Sequence, residues 1–205
     1  TVLVLIVYPH HLMMDFAMPR WAMITGQIAS YGEGLPVFAA TAYLVLTNVH
    51  RSGLRWRMPV MLMVLAIFGW SAGIVPAIID GTISVNRVMH NTLWVPGHFH
   101  FYLLLGVVPM LLAFMYHLIG GRADGLGRGG DRLGLAAFLV GGLTFVGMFL
   151  AGGHASEPRR YAVHFAEWRP YDRVASVGAA LVIAAMLLFA TRIARGLLRA
   201  PAEPR

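Results

Sequence analysis

Apolar residues arrive in five long runs separated by short polar stretches, at about residues 21–49, 58–79, 95–119, 133–152 and 174–198. Each reaches the roughly 20 residues that carry a helix across a bilayer. The pattern predicts an all-α fold, a polytopic transmembrane helix bundle of about five full spans. A sixth apolar stretch, Val2–Val7, is too short to span and reads as the end of another helix. With no initiator Met and no signal peptide, the chain is expected to be the C-terminal part of something longer, or one piece of a split subunit. Residues 1–205 show no internal repeat and are read as a single membrane domain.

Composition sharpens this picture. Of 205 residues, 58% are hydrophobic and 12% charged, with mean hydropathy +0.68, values outside those of ordinary soluble domains. Cysteine is absent, which excludes disulfides, thiolate zinc sites and iron–sulfur clusters. A metal here must be held by His, carboxylate or, less fittingly, Met sulfur. Lysine is absent too, so all sixteen basic residues are arginine. A net charge of +7 can mark a nucleic-acid binder, but these arginines fall between apolar runs. They read as loop charge beside membrane lipid, and no nucleic-acid partner is expected. If every run spans once, Arg51, Arg55 and Arg57 share a side with Arg122, Arg128 and Arg132 and with Arg192, Arg195, Arg199 and Arg205. The positive-inside rule makes that side cytoplasmic. The opposite, outward side then carries His10-His11, the 80–94 loop and the 153–173 loop. His50 and His117 stand at cytoplasmic helix ends, where a snorkelling interfacial role is the default.

The densest chemistry lies in Asn86 to Phe101, which holds three of the nine histidines. Pro96 can open a helix, because its missing N–H is not needed in the first turn. His98 and His100, two residues apart, then stand about 200° apart around the axis. One ion cannot easily take both, since ligands on one face recur at i,i+3 or i,i+4. Two prosthetic groups, one on each side of the helix, can each take one. The plainer alternative is a pair of structural histidines hydrogen-bonded inside the bundle, but ionisable groups in a bilayer are costly and tend to be functional.

Three further features carry candidate chemistry. His10 and His11 form an imidazole pair suited to copper, iron or zinc, though adjacent loop histidines are often merely solvated, and two ligands leave such an ion under-coordinated. Arg159 and Arg160 run against the positive-inside trend; their guanidinium forks match carboxylates, either on a cofactor or on Glu157 and Asp172 of the same loop. Glu33 lies about twelve residues inside the first run, roughly 18 Å from its start. Gln27, Tyr31, Gly34 and Thr41 share its polar stripe. A carboxylate there is either a neutral acid bonded to a neighbouring helix or a proton relay.

The run His90-Asn91-Thr92-Leu93-Trp94-Val95-Pro96-Gly97-His98-Phe99-His100-Phe101, with His10-His11 upstream and Pro158-Arg159-Arg160-Tyr161 downstream, resembles subunit I of the haem-copper oxidase superfamily, most closely its B-type branch. The likeness covers nearly the whole chain, as the family's last five or so helices. It implies a terminal oxidase catalytic subunit, similar to cytochrome c oxidase, that reduces dioxygen to water with proton translocation. By position, His10 and His11 match two of three copper ligands. His98 matches the axial ligand of a high-spin haem facing the copper, and His100 that of a low-spin haem. His90 matches a residue near the high-spin haem propionates, and Arg159 and Arg160 the propionate-binding pair. The implied cofactors are thus two haems and one copper, with non-haem iron as the alternative metal. The implied partners are the remaining N-terminal helices of the catalytic subunit, a subunit II-like protein that admits electrons, and a cytochrome c or quinol donor. The implied location is a bacterial or archaeal plasma membrane, with the active-site side outward.

Two departures stand out. Asn86 occupies a position where the B-type pattern has an acid, which puts that pattern's propionate-linked proton site in question. The family's third copper His, its cross-linked tyrosine and its second low-spin ligand belong to earlier helices absent from these residues. Glu33-Gly34-Leu35-Pro36 also resembles an element of the superfamily's nitric oxide reductases, which makes that activity the nearest alternative. A haem-bearing electron-transfer subunit is a further one, but it leaves His10-His11 unexplained.

Overall fold

The computed structural model describes residues 8–14, 17–120 and 128–198. Val2–Val7, Arg122, Arg199 and Arg205 lie outside them. A 3₁₀ turn, Tyr8–His11, precedes α1 (Arg20–Val49), α2 (Met58–Asp80), a short α3 (Ile83–Met89) and α4 (Trp94–Tyr102). A π-helical turn, Leu103–Val107, then leads into α5 (Val108–Ile119), followed by α6 (Arg128–His154) and α7 (Arg169–Leu198). No strand occurs among the described residues, only an isolated bridge between Thr92 and Pro158. The chain is a polytopic helical bundle and an integral membrane protein.

The five apolar runs correspond to α1, α2, α4 through α5, α6 and α7. Four of these are long and apolar enough to cross a membrane: Met58–Asp80, Trp94–Ile119, Gly129–His154 and Arg169–Leu198. α1 matches them in length but is not among the four. Gln27, Ser30, Tyr31, Glu33 and Thr41 interrupt its apolar run, so the even reading of five spans is uneven in composition. α6 and α7 also begin earlier than their apolar runs. Asp131 and Asp172 occupy their first turns, where negative charge suits the helix dipole. The 80–94 stretch, read as loop, contains α3.

The core lies toward the end of the bundle away from His10. Leu62 and Leu65 of α2, Leu112, Tyr116 and Ile119 of α5, Phe138 of α6 and Phe189 of α7 are buried together. Tyr116 Oη donates to Asp131 Oδ1 at 3.0 Å, and Arg192 Nε approaches the same oxygen at 3.5 Å. The π turn has a local cause. Pro109 has no N–H to give Leu105, so the ladder shifts and Val108 N–H bonds to Leu103 O. Gly69 of α2 accommodates this swelling, since a Cβ there would sit 2.0 Å from Leu105 O. α1 packs chiefly on α2 and leaves Trp21, Ile28, Leu35, Tyr43 and Leu46 exposed.

Candidate functional site

Two elements bring three imidazoles together at one end of the bundle. The 3₁₀ turn supplies His10 and His11, and α4 supplies His98. Ligand nitrogens of these three lie within 4.8 Å of one another. The His10 and His11 ring centroids are 3.9 Å apart, and His11 stacks on His98 at 6.1 Å. His10 and His98 are buried, at 4% and 5% exposure.

The tautomer of His10 follows from its surroundings. Ser30 Oγ donates to Gly26 O at 2.7 Å, so at 3.0 Å it accepts from His10 Nδ1–H. Nε2 is left as the lone-pair nitrogen, the form a metal ligand needs. Burial, then the charges of His90 and Arg159, push the His11 imidazole below its ordinary pKa and favour the neutral ring. His98 Nδ1 is buried without a hydrogen-bond partner. A three-imidazole set suits copper, iron or zinc. The spacing fits a single ion, and a haem iron on His98 facing a second metal on the pair would need His98 and the pair to spread apart.

A cavity of about 310 Å³ adjoins the three rings, lined by residues of α1, α2 and α4 that include Glu33, Gly34, Trp70, Ser71 and Tyr102. Glu33 thus shares a space with His10, His11 and His98. Gly34 lets α1 close on α2, since a Cβ there would meet Ile74 Cγ2 at 3.0 Å, whereas Gly32 faces open space.

His100 stands on the other side of α4. Its ring meets the edges of Phe145 and Phe149 of α6 at 5.4 and 5.7 Å, and Nδ1–H donates to Pro96 O at 2.7 Å. A backbone bond of that kind fixes the tautomer and leaves Nε2 with the lone pair that a metal ligand needs. His98 and His100 therefore serve different compartments of the molecule.

His90 caps α3 and is buried at 3%. It lies close enough to His11 and to the fully buried Asp80 to interact with both, and so does Arg159. Arg159 N–H donates to Asn91 O at 2.9 Å, which sets the arginine turn on the chain leading into α4. Arg160 diverges from it, exposed and in the left-handed region at φ 67°. Glu157 and Asp172 come together on His164, at 2.5 and 3.0 Å from its Nδ1. Three supporting residues escaped the sequence reading: Ser30, Asp80 and His164. Asn86 is fully buried and donates to Asp80 O at 2.7 Å and to Asp80 Oδ1 at 3.2 Å. A carboxylate is thus present beside residue 86, supplied by the end of α2. A mid-helix Ser gives no sequence signal; an acid ending an apolar helix, as Asp80 does, could have given one.

A bundle of membrane helices gathers three imidazoles at one end, in an arrangement that could hold a metal ion, and carries a further imidazole on the opposite face of α4. The chain belongs to the family of cytochrome c and quinol oxidase polypeptide I, whose profile matches residues 1–181. It is 27% identical over 195 residues to cytochrome c oxidase subunit 1 of Cereibacter sphaeroides, covering 92% of this chain and 33% of that protein. It is also 27% identical over 190 residues to cytochrome c oxidase polypeptide 1 of Halobacterium salinarum, covering 89% of this chain and 31% of that protein. The chain thus spans about a third of the length of these relatives. A cryo-EM structure of a heme-copper terminal oxidase dimer shares the fold, with TM-score 0.81 and 19% identity over 98% of this chain and 41% of that one.

Proposed function

We propose that this chain is the C-terminal part of the catalytic subunit of a haem-copper terminal oxidase, reducing dioxygen to water. The observation that carries the reading is the division of labour on α4, with His98 beside His10 and His11 and His100 against Phe145 and Phe149. When bound, two haems and a copper would supply electron transfer and dioxygen reduction. The chain's own residues do the rest. His10 and His11 would hold the copper, His98 one haem iron and His100 the other. Ser30 orients His10, and Pro96 O orients His100. Arg159 and His90 would meet carboxylates on the outward side, with Arg160 as a more exposed second contact. Glu33 would hold a proton at its carboxyl within reach of the shared cavity. The exposed apolar face of α1 suits burial by lipid or by the remaining helices of the catalytic subunit. A subunit that admits electrons from a cytochrome c or quinol donor would complete the assembly, in a bacterial or archaeal plasma membrane with the His end outward.

The test uses the full-length subunit. His100→Ala is expected to remove the low-spin haem spectrum and His98→Ala the ligand-reactive high-spin one. Retention of both spectra in either variant would sink the assignment. One observation favours a second reading. Glu33 of the Glu33-Gly34-Leu35-Pro36 element lines the same cavity as the three imidazoles, as a reductase of nitric oxide with non-haem iron would require. Consumption of O₂ against NO by the purified protein separates the two. Glu33→Gln is expected to slow either turnover severely while both haems stay bound, and Glu33→Asp to slow it less.

A further inference from the structure

Glu157, His164 and Asp172 lie outside the chemistry assigned above. The Glu157 side chain is fully buried in the turn after α6, and its Oε2 has no hydrogen-bond partner. Its place exists because residue 152 is glycine; a Cβ there would clash with Oε2. Oε1 lies 2.5 Å from His164 Nδ1, and Asp172 Oδ2 lies 3.0 Å from the same nitrogen. One oxygen of the Glu157 carboxyl and one of the Asp172 carboxyl lie within 4.8 Å of each other. His164 Nε2–H donates to Tyr161 O at 3.2 Å. In the neutral ring that bond leaves the Nδ1 lone pair facing two carboxylates, an arrangement that needs a positive charge at its centre. Backbone bonding of the remote ring nitrogen is also the usual support of a metal-bound histidine.

We propose that Glu157, His164 and Asp172 form a second metal site, for one divalent first-row cation, with Zn²⁺ the best match. Magnesium and calcium favour all-oxygen sets, whereas one imidazole and two carboxylates suit zinc. One ligand atom from each residue lies within 4.8 Å of the others, so bonds of about 2.0–2.2 Å require only a modest shift. His164 and Asp172 are about a third exposed, which gives the ion a route in and leaves a fourth position for water. Burial holds the Glu157 carboxyl above its ordinary pKa, and the hydrogen bond to Glu157 raises His164. Protons therefore compete with the ion for this site. The bound ion would do positional work. Glu157 O accepts from Leu93 N–H at 2.8 Å, just before α4, and Arg159 stands two residues on. An ion on Glu157 and Asp172 ties the end of α6 to the start of α7 and holds the arginine turn against α4.

The test is a titration of the assembled complex, loaded with its haems and copper but prepared free of zinc, with ZnCl₂ at pH 7.5, in competition with a chromophoric zinc indicator. The wild type is expected to bind one equivalent more than His164→Asn and Asp172→Asn, and Asp172→Glu to restore it. Both asparagine changes fall on partly exposed side chains, so folding is retained where Glu157→Gln could lose it. Apparent affinity is expected to fall about tenfold per pH unit below the His164 titration, as one proton competes with the ion. Equal zinc stoichiometry in wild type and His164→Asn overturns the proposal and leaves a site that holds only a proton.

Discussion

The two faces of α4 are built on opposite plans. On the His98 face, three imidazoles adjoin an open cavity, and polar side chains from α1 and α2 reach into it. On the His100 face, α4 is pressed against α6. A Cβ on Gly97 would meet Leu150 Cδ2 at 2.9 Å, one on Gly153 would lie 2.0 Å from Trp94 N, and two phenylalanines edge the histidine. One face offers room and donors, the other a closely packed, half-buried seat. Side-by-side histidines two residues apart can therefore do different chemistry, because the fold around each differs more than their spacing suggests.

The sharpest way to break this contrast is steric. Gly153→Val would drive a side chain into the backbone at the start of α4, and a loss of about 3 kcal/mol is expected. The midpoint of thermal unfolding in detergent measures it. The matching change on the open face, Gly34→Ala, meets only the flexible ends of Ile74 and Ile78, and less than ~1 kcal/mol is expected. Equal penalties at the two glycines would remove the distinction.

Next in size is the loss of an orienting bond on the open face. Ser30→Ala deletes the acceptor of His10 Nδ1–H, and metal affinity at the His10–His11 site is expected to fall roughly 10–100-fold. Metal content after dialysis against a graded chelator reads this directly, and the His100 spectrum should not change.

A smaller effect separates the two arginines. Arg159 is half-buried and, like His90, acts on Asp80, whereas Arg160 is exposed, so Arg159→Ala should lower a haem midpoint potential more than Arg160→Ala. Loss of positive charge disfavours the more negative, reduced state. A larger shift from Arg160 would reverse their roles.

The smallest expected effect is a pH dependence of the outer loop, measured with chelator present. His164 titrates above its unfolded pKa because of its bond to Glu157, so its stabilisation is complete below about pH 6.5. It is lost as pH rises through the folded pKa. Glu157 is raised by burial, so its ionisation acts in the same direction. The thermal advantage of wild type over His164→Asn should be present at pH 6 and shrink by pH 8. An advantage that grows with pH would contradict the arrangement.

Much of this was legible in the residues, and what escaped has physical causes. Helix cores announce themselves through hydropathy, so α2 and the α4–α5 run agree with their apolar stretches to within a residue. Helix starts rich in Arg, Gly and Asp do not, which is why α6 and α7 begin five residues before their apolar runs. His98 and His100 stand out because imidazoles are expensive in lipid. Ser30 does not, because its importance comes from a partner twenty residues away across a turn. The Glu157–His164–Asp172 group joins an irregular loop to the first turn of α7, where no period links residues seven or eight apart, so only coordinates reveal it.

The π turn at Leu103–Val107 carries a consequence for how such a helix can change over time. One extra residue per turn rotates everything downstream by about 100°. The metal-facing half of the Trp94–Ile119 helix and the half that packs on the core are therefore out of phase with each other. Without that offset, Leu112 and Tyr116 would swing away from α2 and α7, or His98 would swing away from its cavity. The turn works as a phase shifter, letting each half answer to its own surroundings. Deleting one residue there should be far more damaging than any single substitution within it, since it would set the two halves of one helix competing for the same rotation.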